Sequence, residues 1–426
     1  MNHDLLKRVI YDQHEVISRM QIVPREYQLE PSANYVLTGL RRAGKSTMLY
    51  SIAQQLVANG ATWDEITYVN FEDERLAEFK AADFDDIVAV QSEMCGGHGY
   101  FFLDEIQIID GWERFARRLA DAKERAFITG SNAKMLSREI EGALGGRYMS
   151  KRIDTYCFSE YLDAVGVSHT ARDLQSTRGS AAILAQFDEY MQFGGFPESV
   201  FYENKREYAS SVYQKVLLGD IVIRHGIRNA NALKLLVKKI AESVRTDVSY
   251  SKLHHVLKSV GASISKDTVI DYVAFINESF LTFAVENYFA KFVDRESTPK
   301  YYFADNGLLN LFLYQKETAL LENVVATHLR RAHPDGVFFL KSASTGVDVD
   351  FFVPDERLAV QVAYSLDESS YNREVGGLVK LARHFDETER YVVVTHEEER
   401  TIEVEGLKIE VVPAYKFLLE QTSSQA

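Results

Sequence analysis

Over the first 130 residues, short apolar runs alternate with amphipathic stretches. Leu5, Leu6, Val9, Ile10, Val16 and Ile17 recur at helical spacing and predict an amphipathic helix that ends before a turn near Pro24. Tyr35-Val36-Leu37 is an apolar run of strand length, and residues 47–56 behind it have helical character. Residues 66–71, 100–103 and 126–129 are further apolar runs, each followed by polar or acidic residues. Strands alternating with helices predict a parallel α/β sheet, with its binding site at the C-terminal ends of the strands.

The pattern changes downstream. Ser159 is suited to cap a helix, Phe193-Gly194-Gly195-Phe196-Pro197 reads as a tight turn between helices, and residues 217–222 continue helically. Helices follow at 233–244, 251–258 and 266–278. The third opens on Ser265 as N-cap with Asp267 in its first turn, and Val269, Ile270, Val273 and Ile276 share a face. Strand-like runs at 281–286 and 300–303 then predict a β-wing. Three helices and a wing form the helix-turn-helix pattern, whose third helix enters the major groove of DNA. From residue 301 a helix at 320–329, strands at 337–341, 349–353 and 358–363, a helix at 378–384 and a strand at 391–395 predict a second α/β region.

A chain of 426 residues is long enough for two or three cores. The 46% hydrophobic and 26% charged residues describe a globular chain. No apolar run is long enough to span a bilayer, Asp4, Lys7 and Arg8 interrupt any secretory signal, and Cys95 and Cys157 form no metal-spacing motif. A cytoplasmic protein without a membrane partner is expected. The net charge of −14 argues against non-specific coating of nucleic acid, yet residues 205–266 hold 12 Lys/Arg against 4 Asp/Glu. That local excess suits phosphate contacts. The third helix carries Asp267, Asp271 and Glu278, which favours protein over DNA, and both partner classes stay open.

The most specific chemistry lies between the first apolar run and its helix. Gly39, Leu40, Arg41, Arg42, Ala43, Gly44, Lys45, Ser46 and Thr47 spell G-x-x-x-x-G-K-[ST] in a strand-to-helix setting, the pattern of a phosphate-binding loop. Its glycines bring backbone N–H groups against phosphate oxygens, and the helix adds its positive end. Lys45 is placed for the β/γ-phosphates and Ser46 for Mg²⁺. Asp104 fits a role in the Mg²⁺ shell, and Glu105 fits the orientation or deprotonation of the attacking water. Asn132, or Thr129 in its place, has the chemistry to hydrogen-bond the γ-phosphate or the water; a polar turn cap is the other reading. Arg147, after Gly145-Gly146, is either a cation for the transition state, in cis or across a subunit boundary, or an ordinary surface arginine.

Together, TGLRRAGKST, YVNFEDERL, FFLDEIQ, FITGSNAKMLS, GGRY and FGGFPE (193–198) resemble the AAA-type bacterial and archaeal ATPases that carry a C-terminal DUF4143 region. The resemblance implies an α/β fold: an AAA+-like P-loop NTPase core with a parallel sheet, then a winged-helix module, then an α/β domain similar to a PD-(D/E)XK nuclease. It assigns phosphate binding to residues 39–47, the Walker B role to Asp104 and Glu105, sensor 1 to Asn132 and an arginine finger to Arg147.

The expected divisions are an ATPase core (1–155), a helical lid or linker (156–230), a winged helix (231–300) and the nuclease-like domain (301–426). In that last domain the nuclease carboxylate and lysine positions hold Gln361 and Ala363. Glu322, Asp348 and Asp350 remain, so a degenerate domain kept for binding or assembly is expected, with Lys341 or Lys380 as the lysine of an active alternative. The resulting expectation is an oligomeric, Mg²⁺-dependent ATPase that binds ATP and ADP and whose nucleotide state controls DNA engagement through residues 205–280. Its alternatives are a nucleotide-switched protein scaffold and an ATP-dependent endonuclease.

Overall fold

The computed structural model describes residues 1–130, 142, 144–314 and 316–420, which divide into two compact units, Met1–Asp154 and Thr155–Ala426. In the first unit, β1 (Asn34–Thr38), β2 (Ile66–Asn70), β3 (Tyr100–Asp104), β4 (Arg125–Gly130) and β5 (Tyr148–Arg152) form one parallel sheet in the order β2-β3-β4-β1-β5. Helices α1 (His3–Arg19), α2 (Lys45–Ala58), α3 (Phe84–Cys95) and α4 (Trp112–Asp121) accompany it. Successive strand residues point to opposite faces. Accordingly Val36, Phe101, Leu103 and Ile128 pack with Leu6, Val9 and Ile10 of α1, while Tyr35, Leu37, Phe102 and Phe127 pack with Met48, Leu49 and Ile52 of α2. Both faces are covered, which is why these strands read as continuous apolar runs. α1 starts on Asn2, whose side chain accepts from the N–H groups of Asp4 and Leu5.

In the second unit an eight-stranded mixed sheet runs β12-β13-β11-β10-β9-β8-β6-β7. Its strands are β6 (Thr282–Asn287), β7 (Lys300–Phe303), β8 (Phe338–Ser342), β9 (Val347–Val353), β10 (Leu358–Val362), β11 (Arg390–Thr395), β12 (Arg400–Val404) and β13 (Leu407–Pro413). The helices used below are α5 (Thr177–Phe193), α6 (Ala230–Glu242), α7 (Tyr250–Ser259), α8 (Lys266–Glu278), α9 (Glu317–Ala332) and α10 (Glu368–His384). The strands expected as a free wing do form an antiparallel hairpin, β6–β7. That hairpin is the end of the large sheet, since β6 pairs in parallel with β8 at Glu286–Phe338 and Asn287–Phe339. The reason is burial: Phe283, Val285, Tyr301, Tyr302 and Phe303 are all enclosed, and an exposed wing would leave them wet.

The turn after α5 is built around a buried acid. Asp305 Oδ2 accepts from the Gly195 N–H at 2.8 Å and the Thr155 hydroxyl at 2.9 Å, and Oδ1 accepts from the Gly307 N–H at 2.8 Å. A Cβ at Gly194, which has φ +75°, would meet Asp305 Oδ1 at 1.9 Å. Only glycine fits there, and the motif's role is to seat this carboxylate.

Candidate functional site

The phosphate-loop sequence leaves β1 at its C-terminal end. Gly39, with φ +144°, packs so closely on the neighbouring backbone that a Cβ would stand 2.1 Å from the Ile153 carbonyl oxygen. Arg42 and Gly44 also take left-handed conformations, with φ 66° and 99°. Gly44, the N-cap of α2, has no side chain to cover the helix start, the end of a helix that favours an anion. Lys45 is 5% exposed, and its ammonium donates to the carbonyls of Gly39 and Leu40, each at 3.1 Å. Those bonds hold the loop closed over its own lysine. Arg25 braces the loop from the N-terminal side, donating to Ala43 O at 3.2 Å and Asp154 O at 2.6 Å. Arg41 pairs with Glu72 at 3.2 Å.

Asp104 ends β3 and is 1% exposed. The Tyr68 hydroxyl donates to its Oδ2 at 2.6 Å and the Thr129 hydroxyl donates to its Oδ1, with the Ser46 hydroxyl close by. Burial raises its pKa, and these hydroxyls pull in the opposite direction. Glu105 adopts φ +54°, an uncommon conformation for a side chain of its size; its N–H donates to Thr129 Oγ1 at 2.9 Å and its carboxylate accepts from Gln107. The structure therefore brings together Lys45, Ser46, Asp104 and, through its backbone, Glu105. Thr129 serves Asp104 and Glu105 rather than standing free for a phosphate. Asn132 lies outside the described residues. Arg147 turns to its own chain, where Nε donates to Asp121 Oδ1 at 2.5 Å. The donor set fits Mg²⁺ in kind: Asp104 and Ser46 would offer a hard carboxylate oxygen and a hydroxyl oxygen.

The second unit holds a different cluster of acids. Glu322 on α9 is fully buried; it accepts from the Tyr302 hydroxyl at 2.8 Å and from Arg245 Nε at 3.1 Å. Lys300 on β7, 2% exposed, donates to Asp350 Oδ1 at 3.0 Å and lies 3.7 Å from Glu322 Oε1. Burial alone would lower the lysine, but Asp350 and Glu322 outweigh it and hold the ammonium above the ordinary range. Burial, with Asp350 nearby, pushes Glu322 and Glu374 each up to about 7.

Gln361 does not join the acids. Its Oε1 accepts from the Asp350 N–H and its Nε2 donates to the Asp348 carbonyl, both at 2.9 Å, so the amide replaces ladder bonds where β9 and β10 part. Lys341 pairs with Asp247, and Lys380 lines a cavity of about 600 Å³ together with Arg245, Asp348, Asp350, Arg373 and Glu374. The lysine between the acids is Lys300, on the strand expected as part of a wing, and Arg245 joins it at Glu322.

Tyr68 and Lys300 are the residues that sequence reasoning missed. A polar atom within an otherwise apolar strand is the signal both carry, because a buried hydroxyl or ammonium requires a partner.

Residues 32–162 match the family model of an AAA domain, AAA_14, which supports an AAA-type ATPase in this stretch. Residues 184–319 match a domain of unknown function, DUF8612, a different model from the DUF4143 region that the resemblance implied. An uncharacterized protein of Methanocaldococcus jannaschii is 29% identical over 430 residues, covering 97% of this chain and 95% of its own. An uncharacterized protein of Haemophilus influenzae is 29% identical over 396 residues, covering 90% and 94%. Among solved structures, a Walker-type ATPase of Pyrococcus abyssi aligns with 72% of this chain and 95% of its own at 12% identity and a TM-score of 0.36. The Orc1 protein of Aeropyrum pernix, solved in complex with DNA, aligns with 76% and 93% at 13% identity and a TM-score of 0.29.

Proposed function

We propose that this protein binds and hydrolyses ATP with Mg²⁺, and that its nucleotide state governs engagement of DNA by the basic region at 205–280. The observation that carries the reading is the convergence of Lys45, Ser46 and Asp104 at the open end of a parallel sheet. The loop's N–H groups and Lys45 bind the β- and γ-phosphates once the ammonium leaves the carbonyls of Gly39 and Leu40. Ser46 and Asp104 hold the ion, which neutralises charge developing on the phosphates. Glu105 orients and deprotonates water; Asn132 contacts the γ-phosphate. Arg147 acts as a finger after releasing Asp121, an exposed pair whose loss costs roughly 0.2–1 kcal/mol.

DNA engagement is supported by exposed Arg224, Arg228, Lys234, Lys238, Lys252 and Lys258, which lie on α6, α7 and the segment before them. The exposed Asp267, Ile270 and Asp271 of α8 instead favour a protein partner, the second reading. Nucleotide binding and filter retention of DNA at two salt concentrations test both. Lys45→Ala is expected to abolish ATP binding, and Glu105→Gln to retain ATP while lowering turnover by roughly 10²–10⁴-fold. Brisk turnover by Glu105→Gln removes Glu105 from its role. A steep salt slope supports DNA, and no retention at low salt, with or without ATP, gives the protein scaffold precedence.

A further inference from the structure

A row of aromatic rings crosses the α2 face of the first sheet. Tyr35 stacks on Phe127, Phe127 on Phe102 and Phe102 on Tyr68, with centroids 6.4, 5.0 and 6.4 Å apart, and Tyr50 of α2 adds to the end of the row at 5.2 Å from Tyr68. Packing accounts for rings at these positions and does not account for the hydroxyl on Tyr68. That side chain is fully buried, where a hydroxyl without a partner is costly. Its hydroxyl donates to Asp104 Oδ2 at 2.6 Å, and its ring packs against that of Tyr50.

Tyr50 stands four residues after Ser46 on α2, so the two side chains share a helix face. Tyr68 therefore touches both elements of the site: its hydroxyl bonds to Asp104 on β3 and its ring packs on Tyr50 of α2. The two side chains suited to the magnesium ion come from those same elements, a helix start and a strand end.

We propose that Tyr68, braced by Tyr50, is a positioning residue for the magnesium ion: it fixes the rotamer of Asp104 and the spacing between the Asp104 carboxylate and the Ser46 hydroxyl. The assignment rests on the nucleotide reading above. Its test uses the full chain and a fluorescent, non-hydrolysable ATP analogue, titrated once with Mg²⁺ and once with EDTA. In Tyr68→Phe the gain in affinity that Mg²⁺ brings falls by about tenfold, the worth of one hydrogen bond to a charged group, while the EDTA affinity stays within about twofold. Tyr50→Leu, which removes the ring packed on Tyr68, loses roughly threefold of the same gain by the same criterion, and carries the test if Tyr68→Phe does not fold.

A Tyr68→Phe protein that keeps the whole Mg²⁺ gain, or weakens equally with and without the metal, overturns the assignment and leaves the ATP site standing. A wild-type chain that binds no analogue in either buffer defeats the ATP reading itself and the assignment with it.

Discussion

Asp104 in the first unit and Glu322 in the second are buried carboxylates with full sets of partners, the second beside a partly buried Asp350, yet those partners differ in kind. Asp104 is held by the hydroxyls of Tyr68 and Thr129, with that of Ser46 close by, and the Lys45 ammonium is turned to the carbonyls of Gly39 and Leu40. Glu322 and Asp350 face Lys300, and Arg245 joins at Glu322. Neutral donors fix a carboxylate's direction and leave its negative charge available to an incoming cation. Charged donors cancel the charge inside the fold. The first arrangement leaves a negative charge of the kind a metal ion takes; the second already contains its cation. Burial of an acid therefore points to a metal site only once the charge of its neighbours has been counted.

The largest effect follows from removing the built-in cation. Lys300→Met leaves Glu322 and Asp350 facing each other without their shared ammonium, and is expected to cost about 3–5 kcal/mol of stability, read from denaturant midpoints of the full chain. Adding Glu322→Gln recovers part of that loss, because the two sites are coupled. A Lys300→Met protein as stable as wild type would break the comparison at its second term.

The smaller counterpart is Asp104→Asn. It removes a charge whose burial is unfavourable while keeping most of the shape, so stability changes by no more than about 1 kcal/mol. The Mg²⁺-dependent part of nucleotide affinity is lost. If this substitution proved as destabilising as Lys300→Met, Asp104 would be a structural acid and the contrast would disappear.

The phosphate loop was legible because its whole meaning lies within Gly39 to Thr47: a turn, a lysine and a hydroxyl at fixed offsets. The parallel sheet was legible as well, because buried strands are apolar on both faces and the runs at Tyr35, Ile66, Tyr100 and Ala126 stood out. The partners of Asp104 were not, since Tyr68 and Thr129 arrive from the strands on either side of β3, and strand order is a global property. Lys300 was hidden for the same reason: its acid lies 50 residues later, and β7 looked like half of a wing until β6 was seen joined to β8. Gly194-Gly195 was recognisable as a turn, but not as the seat of Asp305, which lies 110 residues beyond Gly195.

The subtlest difference between the regions lies in their response to pH. Glu322 and Glu374 have folded pKa values raised to about 7 from an ordinary 4.5, so the folded chain holds more protons than the unfolded chain between those limits. Their contribution to stability is complete below about pH 4.5 and is lost as pH rises through about 7. Glu374, which Arg373 reaches from the cavity rim, has one paired cation, whereas Glu322 meets both Lys300 and Arg245. Glu374→Gln should therefore flatten the fall in melting temperature across this window more cleanly than Glu322→Gln, which also disturbs the ammonium. An unchanged slope in Glu374→Gln would mean that Arg373 keeps that carboxylate ionised, extending internal charge cancellation from the Lys300 pair to the rim of the cavity.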